Sequence, residues 1–224
     1  MRLYGYWRSS SSYRVRIALH LKNLEYEYVP ISLEDEEHSR AAFRDHNPMH
    51  QVPVLELATG ERFSQSLPII ELLEELHPSP ALLPASPGPR ARARQLAEIV
   101  NSGIQPLQNR FVLETLERHR VDSREWAKYF VDRGLRALEA HANTSPARFL
   151  VGDQVTLAEV FLVPQLYNAR RLGVSCADFP TLTRIDAECQ QLDAFAAAIP
   201  ERQLDATENE RRDVAEADPG DERP

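Results

Sequence analysis

The run Arg8-Ser-Ser-Ser-Ser-Tyr-Arg-Val-Arg-Ile-Ala-Leu places four adjacent hydroxyls, Ser9 to Ser12, where an aromatic-rich strand gives way to an apolar helix. Hydroxyl oxygens and first-turn amides converge there with the positive end of the helix dipole, an arrangement that stabilises an anion. The same serines would also serve as an ordinary helix cap in a flexible turn. A hydrolytic serine nucleophile is not supported. It needs a positioned base, and the chain has neither a Gly-x-Ser-x-Gly elbow nor a distinctive partner motif around any of its seven histidines.

Two further segments have chemical potential. In Gln51-Val52-Pro53 a proline opens a strand, either as an edge device or as a cis-proline that turns the preceding backbone amide and carbonyl toward a peptide-like ligand. Gln65-Ser66 opens a helix, where free amides and a hydroxyl suit a carboxylate or simply cap the helix. His46 and His50 are four apart, but Asn47-Pro48 breaks any helix between them, so no metal site is expected. Arg90, Arg92 and Arg94 read as a solvated helix face, and Val160 to Val163 with Leu166 as core. Thr156-Leu-Ala-Glu159 has the form of a capping box and is assigned to folding.

The elements that must hold these residues follow from periodicity. Strand Arg2 to Trp7, helix Ser12 to Leu21 and strand Glu25 to Ile31 form a β-α-β unit. A polar helix over Glu36 to His46, a strand from Gln51 to Leu57, a short hairpin partner over Glu61 to Ser64 and a helix from Ser66 follow. That order is the thioredoxin-like layout, and the missing Cys-x-x-Cys implies a thiol supplied from outside. The expected fold is an α+β thioredoxin-like domain over residues 1–80 followed by an all-α helical bundle over 90–204. A linker over 81–89 is read from the five prolines between Pro78 and Pro89. The first long helix, Arg90 to Arg120, has a break expected near Gly103 to Pro106, and helices from Ser123 and Thr156 follow. Residues 205–224 lack apolar periodicity and are expected to be a disordered acidic tail.

Of the net charge of −8, that tail contributes −5, leaving about −3 for the body. Nucleic acid and anionic membrane surfaces are therefore not expected partners, since both demand a basic surface. Only Cys176 and Cys189 are present, and no window approaches the length of an apolar membrane span. A reducing, cytoplasmic setting is the simple expectation.

Taken together, Arg8-Ser-Ser-Ser-Ser-Tyr-Arg-Val-Arg-Ile-Ala-Leu, Asn47-Pro-Met-His-Gln-Val-Pro-Val-Leu, Gln65-Ser-Leu-Pro-Ile-Ile-Glu, Gly103-Ile-Gln-Pro-Leu-Gln-Asn and Val151-Gly-Asp-Gln-Val-Thr-Leu-Ala-Glu strongly resemble the zeta-class glutathione transferases. That class includes maleylacetoacetate and maleylpyruvate isomerases. The resemblance runs from residue 1 to about 205. It implies a glutathione-dependent cis-trans isomerase of a maleyl keto acid, in which thiolate adds reversibly to the double bond, and a homodimer. Ser9 or its neighbour Ser10 would bond the glutathione sulfur, and Val52, before a cis Pro53, would pair with the cysteinyl unit. Gln65 and Ser66 would take the γ-glutamyl end, Gln51 the glycyl end, and Gln105 and Asn109 would add polar contacts. The dianionic substrate would face Arg8 and Arg171, with Arg110 as a third. Ser11 stands where the family motif usually has cysteine, a departure that bears on secondary thiol chemistry more than on isomerisation.

Two other functions fit parts of this pattern. A transferase or dehalogenase acting on small halo-acids would use the same serine hydroxyl without an arginine pair. A non-catalytic, transferase-like interaction module would need none of the serine, proline and Gln-Ser features that are all intact here.

Overall fold

A computed structural model describes residues 1–39, 41–144 and 147–207. Two compact units are present: Met1–His77 with the described chain from Asp193 onward, and Pro78–Leu192.

In the first unit, strands β1 (Arg2–Gly5), β2 (Glu27–Pro30), β3 (Val54–Glu56) and β4 (Arg62–Ser64) form one sheet in the order β2-β1-β3-β4. β1 runs parallel to β2 and antiparallel to β3, and β3 runs antiparallel to β4. Helix α1 (Ser10–Leu21) connects β1 to β2, the short α2 (Ala41–Arg44) precedes β3, and α3 (Ser66–Leu76) follows β4. This is the thioredoxin-like order expected from the sequence. Leu3 and Leu55 pair across the sheet, and both are fully buried with Val15, Ile17 and Leu19 of α1 and Ile69 and Leu73 of α3. Gly5 is required by close approach: a Cβ there would lie 2.9 Å from the Tyr28 ring and 3.3 Å from Ser12 Oγ. β1 can therefore pass directly beneath the start of α1.

The second unit is helical: α4 (Pro87–Asn101), α5 (Arg110–Arg118), α6 (Ser123–Thr144), α7 (Leu157–Leu172) and α8 (Pro180–Gln190). α4 packs on α7, and α6 packs on α5, α7 and α8. The expected break between α4 and α5 is present as a 3-10 turn over Gln105–Gln108. Thr156 and Glu159 form the expected capping box, and Glu159 Oε1 also accepts the Leu150 amide at 2.7 Å. Burial pushes the Glu159 carboxyl above its ordinary range, against the pull of these hydrogen bonds. Val160 to Val163 and Leu166 are fully buried, as expected of core.

Some boundaries differ from the sequence expectation. The proline-rich stretch assigned to a linker over 81–89 contains the buried Leu82 and Leu83 and the start of α4, because Pro87 occupies a first-turn position that needs no backbone donor. Among the described residues, the polar helix expected over 36–46 is represented by a 3-10 turn, Glu37–Ser39, and α2. Helix α9 (Asp193–Ala198) packs on α1, so the end of the expected 90–204 helical segment belongs to the first compact unit. Asp205 was expected to begin a structureless tail, yet it is anchored by hydrogen bonds to Trp7 and Tyr28. The rest of that tail, from residue 208 onward, lies outside the described residues. Among the described residues, no helix is long and apolar enough to cross a membrane.

Candidate active site

The sheet register brings three segments to one end of the first unit. Tyr4 pairs with Val54, so the end of β1 lies beside Val52-Pro53, and Val54 pairs with Ser64, which puts Gln65-Ser66 next in line. The serine run, the proline turn and the Gln-Ser helix start therefore converge through strand pairing, although more than 50 residues separate the first from the last.

Within the run the four serines have different tasks. Ser12 is fully buried, and its Oγ accepts the Tyr6 amide at 3.4 Å. Ser9 is the N-cap of α1, with extended backbone, and its Oγ accepts the Ser12 amide at 3.2 Å. Because that bond uses the oxygen as acceptor, the hydroxyl hydrogen of Ser9 remains to donate to an anion. Ser10 and Ser11 are the first two residues of α1 and are partly exposed. No acidic residue occupies the first turn, so the positive helix end is not neutralised from within its own helix.

Arg8 lies over the Trp7 ring at 5.2 Å and donates to Glu34 Oε1 at 2.9 Å. The Tyr6 hydroxyl donates to the same oxygen at 2.8 Å, and burial together with that bond pushes its pKa up to about 12. Arg8 thus already has a carboxylate partner, which the sequence did not reveal.

The Val52–Pro53 peptide is cis, as the resemblance implied. Asn47, buried, ties the approach to it by donating to Gln51 O at 2.7 Å and accepting the Met49 amide at 3.0 Å. Gln65 is the N-cap of α3 and has φ 72°, a left-handed conformation uncommon outside glycine. Its Nε2 donates to Gln51 Oε1 at 3.5 Å. Ser66 is buried, and its Oγ accepts from Arg14 Nη1 at 3.2 Å. Arg14 is itself fully buried in α1, so a guanidinium lies under the N-terminus of α3. Sequence reasoning gave Arg14 and Asn47 no role. The signal for Arg14 was available: two arginines, Arg14 and Arg16, inside an otherwise apolar helix.

In the second unit, Gln105 opens the 3-10 turn, and Asn109 caps α5 by accepting the Phe111 amide at 3.2 Å. Arg110 is exposed and pairs with Glu114 one turn along the same helix. Arg171 is exposed in the last turn of α7 and donates to Asn168 Oδ1 at 3.4 Å. Asn168 donates to Gln108 Oε1 at 2.8 Å, and Gln108 donates to the fully buried Gln165 at 2.7 Å. This amide chain, absent from the sequence reading, ties the Gln105–Gln108 turn to the helix that carries Arg171. Among the described residues no group of three or more His, Cys, Asp or Glu side chains could hold a metal.

Comparison with known proteins agrees with this geometry. Residues 8–76 match the glutathione S-transferase N-terminal domain and residues 124–198 the glutathione S-transferase C-terminal domain. A probable maleylacetoacetate isomerase of Drosophila melanogaster is 44% identical over 206 residues, covering 91% of this chain and 89% of the relative. A holo structure of maleyl pyruvate isomerase, described as a bacterial zeta-class glutathione transferase, superposes with TM-score 0.90 at 42% identity, covering 92% and 100% of the two chains. A maleylacetoacetate isomerase structure from Anaeromyxobacter dehalogenans with glutathione bound in the active site has TM-score 0.84 and 53% identity, over 92% and 97%. With both domains matched and relatives aligned over most of its length, the chain belongs to the glutathione S-transferase family, in its zeta class.

Proposed function

We propose that this protein is a glutathione-dependent cis-trans isomerase of a maleyl keto acid. The observation that carries the glutathione chemistry is the state of Ser9, a hydroxyl held at a helix N-terminus by the bond its oxygen accepts from the Ser12 amide, with its hydrogen left to donate; the relatives named maleylacetoacetate and maleylpyruvate isomerases direct that chemistry to a maleyl keto acid. A thiolate placed there is stabilised by that donor and by the helix dipole, which keeps it ionised at neutral pH.

The residues fit glutathione. The buried Arg14 beneath Ser66 supplies positive charge at the N-terminus of α3, suited to the γ-glutamyl carboxylate, with Gln65 beside it. The Val52 backbone offers pairing to the cysteinyl unit and Gln51 to the glycyl end, and by resemblance to the family Gln105 and Asn109 are proposed as further polar contacts. When bound, glutathione supplies a thiolate that adds to and then leaves the cis double bond, which is single while rotation occurs. The chain's own part is to hold that sulfur ionised and to match the dianionic substrate with guanidinium groups. Arg171 and Arg8 fill the second role, with Arg110 as a third. Arg8 must exchange Glu34 for the substrate to do so, and the exposure of Glu34 makes that exchange feasible.

The same proposal includes a homodimer, a cytoplasmic location and a place in aromatic catabolism, on tyrosine-derived maleylacetoacetate or on maleylpyruvate. The test is direct: purified protein with glutathione should isomerise maleylacetone or maleylpyruvate, and should release little chloride from a halo-acid. Glutathione binding without isomerisation of either acid would overturn the proposal. Size-exclusion chromatography with light scattering tests the dimer.

A further inference from the structure

We propose that Asp205, contributed by the chain beyond α9, is a positioning residue for the loop that presents Arg8 and Ser9, which rests on the isomerase assignment above. Trp7 immediately precedes those two residues, and both of its backbone polar groups are held. Its N–H donates to Asp205 Oδ2 at 2.9 Å, and its carbonyl accepts from Arg16 Nη2 at 2.9 Å. The same Asp205 oxygen accepts from the Tyr28 hydroxyl of β2 at 3.3 Å.

The segment that delivers Asp205 is itself fixed. Arg16, fully buried in α1, donates its Nε to Ala198 O at the end of α9, at 3.1 Å. Gln203 donates to Ile199 O at 2.9 Å and to Ala197 O at 3.2 Å. Ala206 is buried in one cluster with Tyr6 and Trp7, and Val52 and Leu33 pack against it. One short C-terminal segment therefore clamps the backbone before the serine run and packs beside the residue assigned to glutathione's cysteinyl unit. Asp205 also lies beyond residue 198, where the match to the C-terminal domain ends.

A residue that only tethers the C-terminus would affect stability when removed and leave the site unchanged. A positioning residue would also change the ionisation of the bound thiol, because Ser9 would no longer be held in place. The experiment uses the full chain with Asp205→Ala, Asp205→Asn and Tyr28→Phe. It records the pH titration of bound glutathione by thiolate absorbance, steady-state isomerisation and thermal melting. Asp205→Ala should raise the bound thiol pKa by about one unit and lower kcat about tenfold, with less change in the KM for glutathione. Asp205→Asn keeps an oxygen acceptor for the Trp7 amide and should recover most of kcat and of the thiol pKa, even if it melts lower. A lowered melting point with unchanged thiol pKa and kcat in Asp205→Ala would overturn the inference, as would Asp205→Asn being as impaired as Asp205→Ala. If Asp205→Ala does not fold, Tyr28→Phe, which loosens the same carboxylate, should raise the thiol pKa measurably, and no change would count against the clamp. The thiol titration needs only bound glutathione, so failure of the wild type to isomerise maleyl acids would reject the isomerase assignment and still leave the Asp205 outcome readable.

Discussion

Replacing Ser9 by alanine removes two things at once, and the structure separates their magnitudes. The first is the hydroxyl donor proposed for the thiolate, a hydrogen bond to a charged group worth about 1.5–3 kcal/mol. Lost only from the ionised form, it should raise the bound thiol pKa by about 1–2 units and lower kcat/KM about 10- to 150-fold. The second is the N-cap bond from the Ser12 amide, 3.2 Å long. Its loss costs about 1 kcal/mol of stability, a melting shift of about 2–4 °C for a chain of this size. Ser9→Asp distinguishes the two: a carboxylate caps the helix as well as serine does, so the melting point should be kept, while its charge opposes the thiolate and activity should fall further. Ser11 is partly exposed and lies inside the helix that Ser9 caps, so Ser11→Ala should change kcat/KM by about twofold at most. The assays are isomerisation of maleylacetone across pH, thiolate absorbance of bound glutathione, and thermal melting. A wild-type thiol pKa in Ser9→Ala, or a larger activity loss in Ser11→Ala than in Ser9→Ala, would refute the assignment of the sulfur to Ser9.

Glu159→Ala strips the acceptor from three buried donors, Leu150 N at 2.7 Å, Thr156 N at 2.7 Å and Thr156 Oγ1 at 2.9 Å. It should cost about 3 kcal/mol or more, seen as a melting drop of about 6–12 °C, with kcat below the transition unchanged. Arg171→Ala should raise the KM for the dianionic substrate about tenfold without moving the bound thiol pKa, and Arg110→Ala, whose guanidinium is already paired with Glu114 in the same helix, should raise it by a smaller factor, about threefold. An unaltered KM in Arg171→Ala would remove that residue from the substrate site. Burial, and then the charge of Arg16, hold the His20 pKa below its ordinary value. Its contribution to stability is therefore present above about pH 6.5 and lost as pH falls through the folded value, so the urea midpoint should drop between pH 7.5 and 5.5 and His20→Gln should flatten that drop.

Features that depend on neighbours in the chain were legible in the sequence for a physical reason: caps, boxes and turns are made within a few residues. The serine run was readable as a helix start, Pro53 as a candidate cis-proline, and Thr156 with Glu159 as a capping box, because each is specified locally. The order of strands and helices was equally readable, since apolar periodicity reports which face of an element is covered. Tertiary structure decided which distant groups meet. Arg8 and Glu34 are 26 positions apart, Arg14 and Ser66 are 52 apart, and Trp7 and Asp205 are 198 apart. No local pattern encodes those meetings; they arise when β1 pairs with β3 and the chain returns after α9 to α1. The charge-dense tail composition that predicted disorder from residue 205 was outweighed at Asp205 by two hydrogen bonds and the apolar packing of Ala206. The sequence by itself determined a serine-capped helix start in a thioredoxin-like unit. Only the fold decided that Ser9 holds the cap, that Ser12 is buried beneath it, and that the loop before them is held from the far end of the chain.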